Sequence, residues 1–168
     1  IKKDKKYFLS KKDIILIEEY LYFNQYKFHK QKIAFHRATM KAYENHLTKK
    51  EKNVTYISAK NQLSDVRKLL RKLNEDGISE IHIIDPTDNW LEKHINESKG
   101  GIKINWYDNP LFINTKKELS TFFKPTKKKF FQTSFYKSER KNRAVLMDGK
   151  NPTGGKLTFD SENRKKYQ

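Results

Sequence analysis

Three carboxylates stand where apolar runs of the sequence end, and carboxylates at such places can bind a ligand. Glu18 and Glu19 directly follow one apolar run, and Asp85 closes another. In open α/β sheets, ligands bind beyond the carboxyl ends of the strands. Acids there could accept hydrogen bonds from the ring N–H groups or hydroxyls of a bound heterocycle. The competing interpretation is that Glu18 and Glu19 meet solvent or cap the next helix. For Asp85, which precedes Pro86, a turn role is favoured.

A second candidate is the start of a helical pattern that carries several cations. His29 and Lys32 open this pattern, and His36 and Arg37 follow one to two turns later. Because a helix N-terminus with flanking cations attracts negative charge, these residues could hold an anionic ligand. A solvated basic helix face is the commoner origin of such a pattern. The five histidines are scattered along the chain, and no set of them has the composition of a zinc site.

A third candidate is the run of cations and aromatic rings between residues 127 and 143. Cations neutralise phosphate groups and aromatic rings stack on unpaired bases, so this interleaving suits nucleic acid. The alternative is an amphipathic helix that buries its rings against the sheet or a partner domain. We expect the phenylalanines to be buried. The cations that we expect to contact DNA or a partner domain are Lys137, Arg140, Lys141 and Arg143.

Composition and motifs exclude several kinds of chemistry. The segment 149–156 has the glycines of a phosphate-binding P-loop, but its second glycine is not followed by the required Lys and Ser or Thr. A dinucleotide-binding GxGxxG and a nucleophile elbow are also absent. The sequence contains no cysteine, which excludes thiolate metal sites and iron–sulfur ligation within these 168 residues.

The net charge of +17 favours polyanionic partners. It arises from 37 Lys and Arg residues against 20 Asp and Glu residues, and a field of that sign attracts nucleic acid. Sequence-specific binding is not expected, because helix-turn-helix, zinc-finger and RNP motifs are missing. The sequence also lacks a secretory signal and an apolar stretch long enough to span a membrane. We therefore expect a cytoplasmic protein that does not interact with membranes.

The elements that must position these residues alternate between strands and helices. Four apolar, β-branched runs indicate strands at 14–19, 54–58, 80–85 and 102–106. Helical patterns lie at 28–47, at 63–73, after a Thr87 cap, after a Thr115 cap and at 130–144. This order predicts an α/β fold, a Rossmann-like three-layer sandwich with a mainly parallel sheet, followed by a C-terminal helix and an extended tail. The expected division is an α/β domain over 1–124 and a basic helix-and-loop linker over 125–168.

Several segments resemble one known family. The motifs on which this resemblance rests are Glu18-Glu19, the helix from Phe28 to Tyr43, Asp85-Pro-Thr-Asp-Asn-Trp-Leu-Glu92, and the tail with Leu146-Met-Asp-Gly149 and Phe159-Asp-Ser-Glu-Asn-Arg164. They are similar to the deoxyribodipyrimidine photolyase-related proteins, the iron–sulfur bacterial branch of the cryptochrome/photolyase family. The tail is the most specific of these motifs, and the strands are the least specific.

The resemblance implies an N-terminal antenna domain that binds a light-harvesting chromophore such as a ribityllumazine. In that reading, residues 125–168 lead to an FAD-binding domain that also holds a [4Fe–4S] cluster and binds damaged DNA. The family's activity is that of a DNA photolyase, a carbon–carbon lyase, which this chain alone could not carry out. The expected chromophore-binding residues are Glu18, Glu19, Tyr20, His29, Lys32 and Asp85.

Two other interpretations of the sequence remain open. The chain could be a stand-alone basic α/β module that binds nucleic acid or a nucleotide without photochemistry. It could also be an inert structural lobe whose pocket is filled by side chains.

Overall fold

The computed structural model describes residues 13–160, and its contacts divide the chain at Asn109 into two compact units. The first unit ends at Asn109 and the second begins at Pro110. The domain boundary predicted at residue 124 stays a prediction. The part of the tail motif beyond Asp160 lies outside the described residues.

The first unit alternates strands and helices, as the sequence predicts. Its strands are short and rich in isoleucine, and a one-turn helix follows the first of them. A 3-10 turn precedes the third helix. The elements in chain order are β1 (Ile14–Ile17), α1 (Tyr20–Phe23), α2 (Lys30–Thr48), β2 (Val54–Ile57), α3 (Val66–Glu75), β3 (Glu80–Ile84), α4 (Asn89–Ser98) and β4 (Lys103–Tyr107).

The strands of this unit form two parallel pairs. β1 pairs with β2, with Ile14 opposite Val54, and β3 pairs with β4, with Glu80 opposite Lys103. Parallel neighbours need a crossover connection, and here α1 with α2, and then α4, supply it. The mixed α/β class and the parallel pairing are therefore confirmed. Among the described residues each sheet has two strands and neither closes, so the continuous sheet of a three-layer sandwich stays a prediction.

The core of the first unit lies where α1, α3 and α4 pack together with the β3–β4 pair. Val66 and Leu70, and likewise Leu91 and Ile95, are four residues apart and so lie on one face of each helix. Ile81, Ile83, Ile104 and Trp106 pack against this cluster from the strands. Complete burial of each such side chain stabilises the fold by about 1.5–3 kcal/mol.

The start of α4 differs from the prediction. The helix is capped by Asp88, whose Oδ1 accepts a hydrogen bond from the Leu91 N–H at 2.8 Å, and not by Thr87. Thr87 instead lies in a turn, with its φ at 55° in the left-handed region. Its N–H donates to Asp85 Oδ1 at 2.8 Å. Because Thr87 belongs to this turn around Pro86, it does not cap the helix, and α4 begins after Asp88.

The second unit contains two helices and a small hairpin. They are α5 (Lys116–Phe122), α6 (Gln132–Asn142), β5 (Met147–Asp148) and β6 (Asn151–Pro152), the last two antiparallel. The predicted cap of α5 is confirmed, because Thr115 and Glu118 form a reciprocal capping box. The predicted second helix is also confirmed, over a shorter range. The segment from Met147 onward, expected to be loop throughout, contains the hairpin.

Aromatic rings join α5 to α6 within the second unit. Phe122 and Phe135 lie with ring centroids 5.1 Å apart, and Phe123 contacts Phe130 at 5.4 Å. Phe130 is still 54% exposed and Phe131 is 61% exposed. These two side chains are therefore not buried within the chain, and their burial against a partner domain stays a prediction. Within residues 13–160, no helix is long and apolar enough to cross a membrane.

Candidate functional site

Glu18 is a fully buried carboxylate that is bound by groups of its own chain. Both oxygens accept hydrogen bonds from Arg37, from Nε at 2.5 Å and from Nη2 at 2.7 Å. The Tyr56 hydroxyl donates to Oε1 at 2.7 Å, and the Ala59 N–H donates to Oε2 at 2.8 Å. Four donors fill the acceptor positions of this carboxylate. Glu18 thus joins the end of β1 to α2 and to the chain that follows β2.

These contacts decide the charge of Glu18. Burial alone would raise its pKa, but the hydrogen bonds from Arg37, Tyr56 and Ala59 outweigh that effect and lower the pKa to about 2. The Arg37 side chain is still 47% exposed, so its guanidinium keeps contact with water. The ion pair therefore links the end of β1 to α2, with Glu18 buried and Arg37 partly in contact with water.

Glu19 and Tyr20 have different surroundings. Glu19 is 7% exposed and caps α1, since its Oε2 accepts from the Leu21 N–H at 2.5 Å. Its other oxygen accepts from the Val66 N–H at 3.3 Å, which links α1 to α3. Burial raises the pKa of Glu19. Tyr20, by contrast, is 37% exposed.

An aromatic cleft lies beside the beginning of α2, and it is the principal candidate site of the first unit. Its volume is about 230 Å³, and its lining residues are Tyr22, Phe28, Lys32, Ile33 and His36. The residues from α2 recur at three- and four-residue spacing and so line one side, while Tyr22 comes from the chain that follows β1. That a ligand binds here, beyond the carboxyl end of a strand, stays a prediction.

The polar groups of the aromatic cleft are few and held in place. The Lys32 ammonium lies 4.6 Å from the centre of the Phe28 ring, a distance that permits cation–π attraction. The His36 ring packs against Phe23 at 4.9 Å and against Tyr22 at 6.2 Å. Burial and a hydrogen bond to Asp88 raise the pKa of the Tyr22 hydroxyl. A flat heterocycle could stack on the Tyr22 and Phe28 rings. Lys32 and His36 carry nitrogen atoms that could donate hydrogen bonds to acceptor atoms at its edge.

The structure brings only part of the predicted set to this cleft. Lys32 lines it, whereas His29 caps α2 through its Nδ1, which accepts from the Gln31 N–H at 3.2 Å. Asp85 is 7% exposed and holds the turn before α4. Sequence reasoning missed Tyr22, Phe28 and Ile33 as lining residues, and it named His36 only for an anionic ligand. A signal for Phe28 was present, because the helix predicted over 28–47 places residues 28, 32 and 36 on one stripe.

The four cations predicted on α6 fall into three situations. Arg140 is 4% exposed, and its guanidinium donates to the carbonyls of Val145, Leu146, Lys156 and Leu157 at 2.5–3.1 Å. The expected external contact is therefore corrected for Arg140, which binds its own unit. Arg143 forms ion pairs with Glu139 at 2.9 Å and with Glu118 at 3.2 Å.

Lys137 and Lys141 lie one helical turn apart and line a second cavity, the lysine cleft. Its volume is about 480 Å³. Lys150 from the hairpin turn and Lys156 from the tail, both missed by sequence reasoning, complete its cationic lining, and Gly155 and Thr158 also line it. Among the described residues, no group of three or more His, Cys, Asp or Glu side chains could hold a metal ion.

Comparison with known proteins shows which proteins this chain resembles. The chain is 36% identical over 159 residues to "Uncharacterized protein R852" of Acanthamoeba polyphaga mimivirus, a match that covers 89% of this chain and 80% of that protein. It is 26% identical over 141 residues to a (6-4) photolyase of Agrobacterium fabrum, which covers 81% of this chain and 28% of the photolyase. The chain therefore spans less than a third of that enzyme.

The family model of the deoxyribodipyrimidine photo-lyase-related proteins matches residues 3–168. This is nearly the whole sequence, and it includes both the strand–helix region and the glycine-rich tail. The chain belongs to the deoxyribodipyrimidine photo-lyase-related protein family.

Proposed function

We propose that this chain is the antenna-type N-terminal domain of a cytoplasmic photolyase-related DNA repair protein, and that its aromatic cleft binds a light-harvesting chromophore. The observation that carries the proposal is a cleft with aromatic walls, formed by α1 and the beginning of α2, in a chain of this family. In this proposal β1–β2 and β3–β4 are parts of one Rossmann-like parallel sheet. The chromophore class is a flat heterocycle with a polar tail, of which a ribityllumazine is an example.

The size of the cleft favours a ring system over an entire molecule. Sites that enclose a drug-sized ligand measure about 300–1,000 Å³, and this cleft measures about 230 Å³. A heterocycle stacked on Phe28 and Tyr22 would therefore leave its polar tail outside. Lys32 would donate to an acceptor atom at the ring edge. Tyr20, which is exposed, and Glu19 are proposed to act near the tail, and His29 near the start of α2.

Glu18 and Asp85 support the cleft without direct contact in this proposal. Glu18 holds Arg37, one residue beyond His36, and thereby fixes the face of α2 that lines the cleft. Asp85 holds the turn that leads to Asp88, the hydrogen-bond partner of Tyr22. Both acids would then act as positioning residues.

The repair chemistry itself is assigned to another domain. A [4Fe–4S] cluster needs thiolate ligands, and this sequence has no cysteine. We therefore propose that FAD and the cluster belong to a C-terminal domain, which also contacts damaged DNA. A bound antenna chromophore would absorb light and pass the excitation energy to that flavin. In this division of labour the present chain is not itself catalytic.

Titration with a ribityllumazine, followed by quenching of its fluorescence, tests this function. We expect saturable binding that Phe28→Ala weakens by about 5-fold to 150-fold, since removal of one stacking ring costs about 1–3 kcal/mol. Tyr43→Ala is the matched control, because Tyr43 lies on α2 but stacks on His46 outside the cleft. Absence of saturable binding would contradict the proposal and favour an inert lobe.

A second candidate function is a stand-alone basic module that binds nucleic acid without photochemistry. Two observations favour it. The net charge is +17, and this chain covers 80% of the length of its mimivirus relative, so a protein of similar size exists without a large further domain. Binding of a fluorescent oligonucleotide at increasing salt tests it. Tight binding by the chain without any chromophore affinity would select this function over the antenna function.

A further inference from the structure

The second unit contains a site that the antenna function does not use. We propose that the lysine cleft binds a chain of phosphate groups, either a free oligophosphate or a short stretch of nucleic-acid backbone. This inference concerns residues 132–158 alone and does not rest on chromophore binding in the first unit.

Cations from three separate segments converge on this cleft. Lys137 and Lys141 come from α6, Lys150 from the turn between β5 and β6, and Lys156 from the tail. Four lysines around one concave space of about 480 Å³ raise the positive potential there, and such a field attracts an anion with several charges.

The two lysines of α6 are not neutralised by the acids of the described residues. No Asp or Glu is among the lining residues of the cleft. Glu139, the acid of α6, accepts hydrogen bonds from Asn114 at 2.6 Å and from Arg143 at 2.9 Å. Within residues 13–160, neither Lys137 nor Lys141 forms an ion pair with an acidic side chain. The charges of these two lysines are thus left for a ligand.

The cleft is built by Arg140 and is not a chance gathering of flexible side chains. The buried guanidinium binds carbonyls on both sides of the hairpin, at Val145 and Leu146 before it and at Lys156 and Leu157 after it. It thereby fixes the segments that carry Lys150 and Lys156 relative to α6. Four carbonyls, and no carboxylate among the described residues, satisfy this cation, so its charge adds to the positive field of the cleft.

Phosphate is the anion that suits this arrangement. Lysine binds phosphate as a point charge, with ammonium groups that adapt to tetrahedral oxygens. Gly155, with φ at 77°, has open space where a side chain would stand, so a ligand can approach the backbone closely. Thr158 lines the same cleft, and its hydroxyl, which accepts a hydrogen bond from the Asp160 N–H at 3.3 Å, still has its own proton to donate. The spread of several cations around one space selects a run of phosphates over a single one.

Calorimetry of the full chain with inorganic tripolyphosphate tests the proposal. We expect binding that the Lys137→Gln, Lys141→Gln double variant weakens by about tenfold or more, because each lost charge-assisted hydrogen bond to phosphate lowers the affinity by about that factor. Lys150→Gln, which lies in a turn and not in the helix, should weaken binding as well. Orthophosphate should bind more weakly than tripolyphosphate.

The matched control is the Lys128→Gln, Lys129→Gln double variant, which removes the same charge outside the cleft. Equal weakening by this control, or no tripolyphosphate binding at low salt, would overturn the proposal. Thermal melting checks that each variant folds. Competition with a short single-stranded oligonucleotide separates the two sources: mutual displacement identifies a nucleic-acid backbone, and tripolyphosphate binding that the oligonucleotide does not displace identifies a free oligophosphate.

Discussion

At the scale of single residues, two buried charges organise the two units. Glu18 is bound by Arg37, Tyr56 and a backbone N–H at the end of β1. Arg140 is bound by carbonyls at the base of the lysine cleft. A buried charge is costly unless it is paired or hydrogen-bonded, and each of these is satisfied by several groups. Each therefore fixes loops that carry candidate ligand-binding side chains.

The depressed pKa of Glu18 predicts a loss of stability in acid. A carboxyl whose folded-state pKa lies below its unfolded value stabilises the fold above the unfolded pKa. That contribution is lost as the pH falls toward the folded value. For Glu18 the window runs from 4.5 down to about 2, and the lost free energy of unfolding is about 3 kcal/mol. Urea unfolding of the wild type at several pH values between 7 and 2.5 measures it.

Glu18→Gln should remove this part of the acid dependence and lower the stability at neutral pH by about 1–3 kcal/mol. Glu97→Gln is the control, because Glu97 is 61% exposed and faces Lys93 at 3.8 Å. If the wild type and Glu18→Gln lost stability in parallel between pH 4.5 and pH 2.5, the ion pair would not have the strength inferred here.

At the scale of elements, the sequence predicted most helices and strands because their local signals agree with the fold. The strands are β-branched runs, and the Thr115–Glu118 capping box specifies the start of α5. The capping residue of α4 was mispredicted because Thr87 lies in a turn around Pro86, where its N–H donates to Asp85. The lysine cleft was missed because its hairpin and tail depend on the burial of Arg140, which helical spacing alone does not distinguish from its exposed neighbours.

The observed cap of α4 predicts different effects at two adjacent positions. Asp88→Ala should lower the free energy of unfolding by about 1 kcal/mol, the usual cost of losing an N-cap side chain, and it also removes the partner of Tyr22. Thr87→Ala should change it by less than about 0.5 kcal/mol, as for other surface substitutions. Chemical denaturation of both variants measures this contrast, and a larger loss from Thr87→Ala would contradict the assigned cap.

At the scale of the whole molecule, the family match and the net charge are properties of the entire chain, whereas each cleft belongs to one of its two units. The family model spans residues 3–168, which confirms the resemblance first seen in scattered motifs. The net charge of +17 is a property of the entire chain and favours polyanionic partners. The identity of the site residues followed less directly from the sequence, because it depends on which face of α2 and of α6 lines a cleft.

The most direct test of the central claim is a crystal structure of this chain with a ribityllumazine. The account predicts the ring system between Tyr22 and Phe28, with an acceptor atom near the Lys32 ammonium and the ribityl tail outside the cleft. The same experiment with Phe28→Ala should show the ligand absent or displaced. A chromophore bound away from these residues in the wild type, or a cleft that admits no ligand at saturating concentration, would contradict the account.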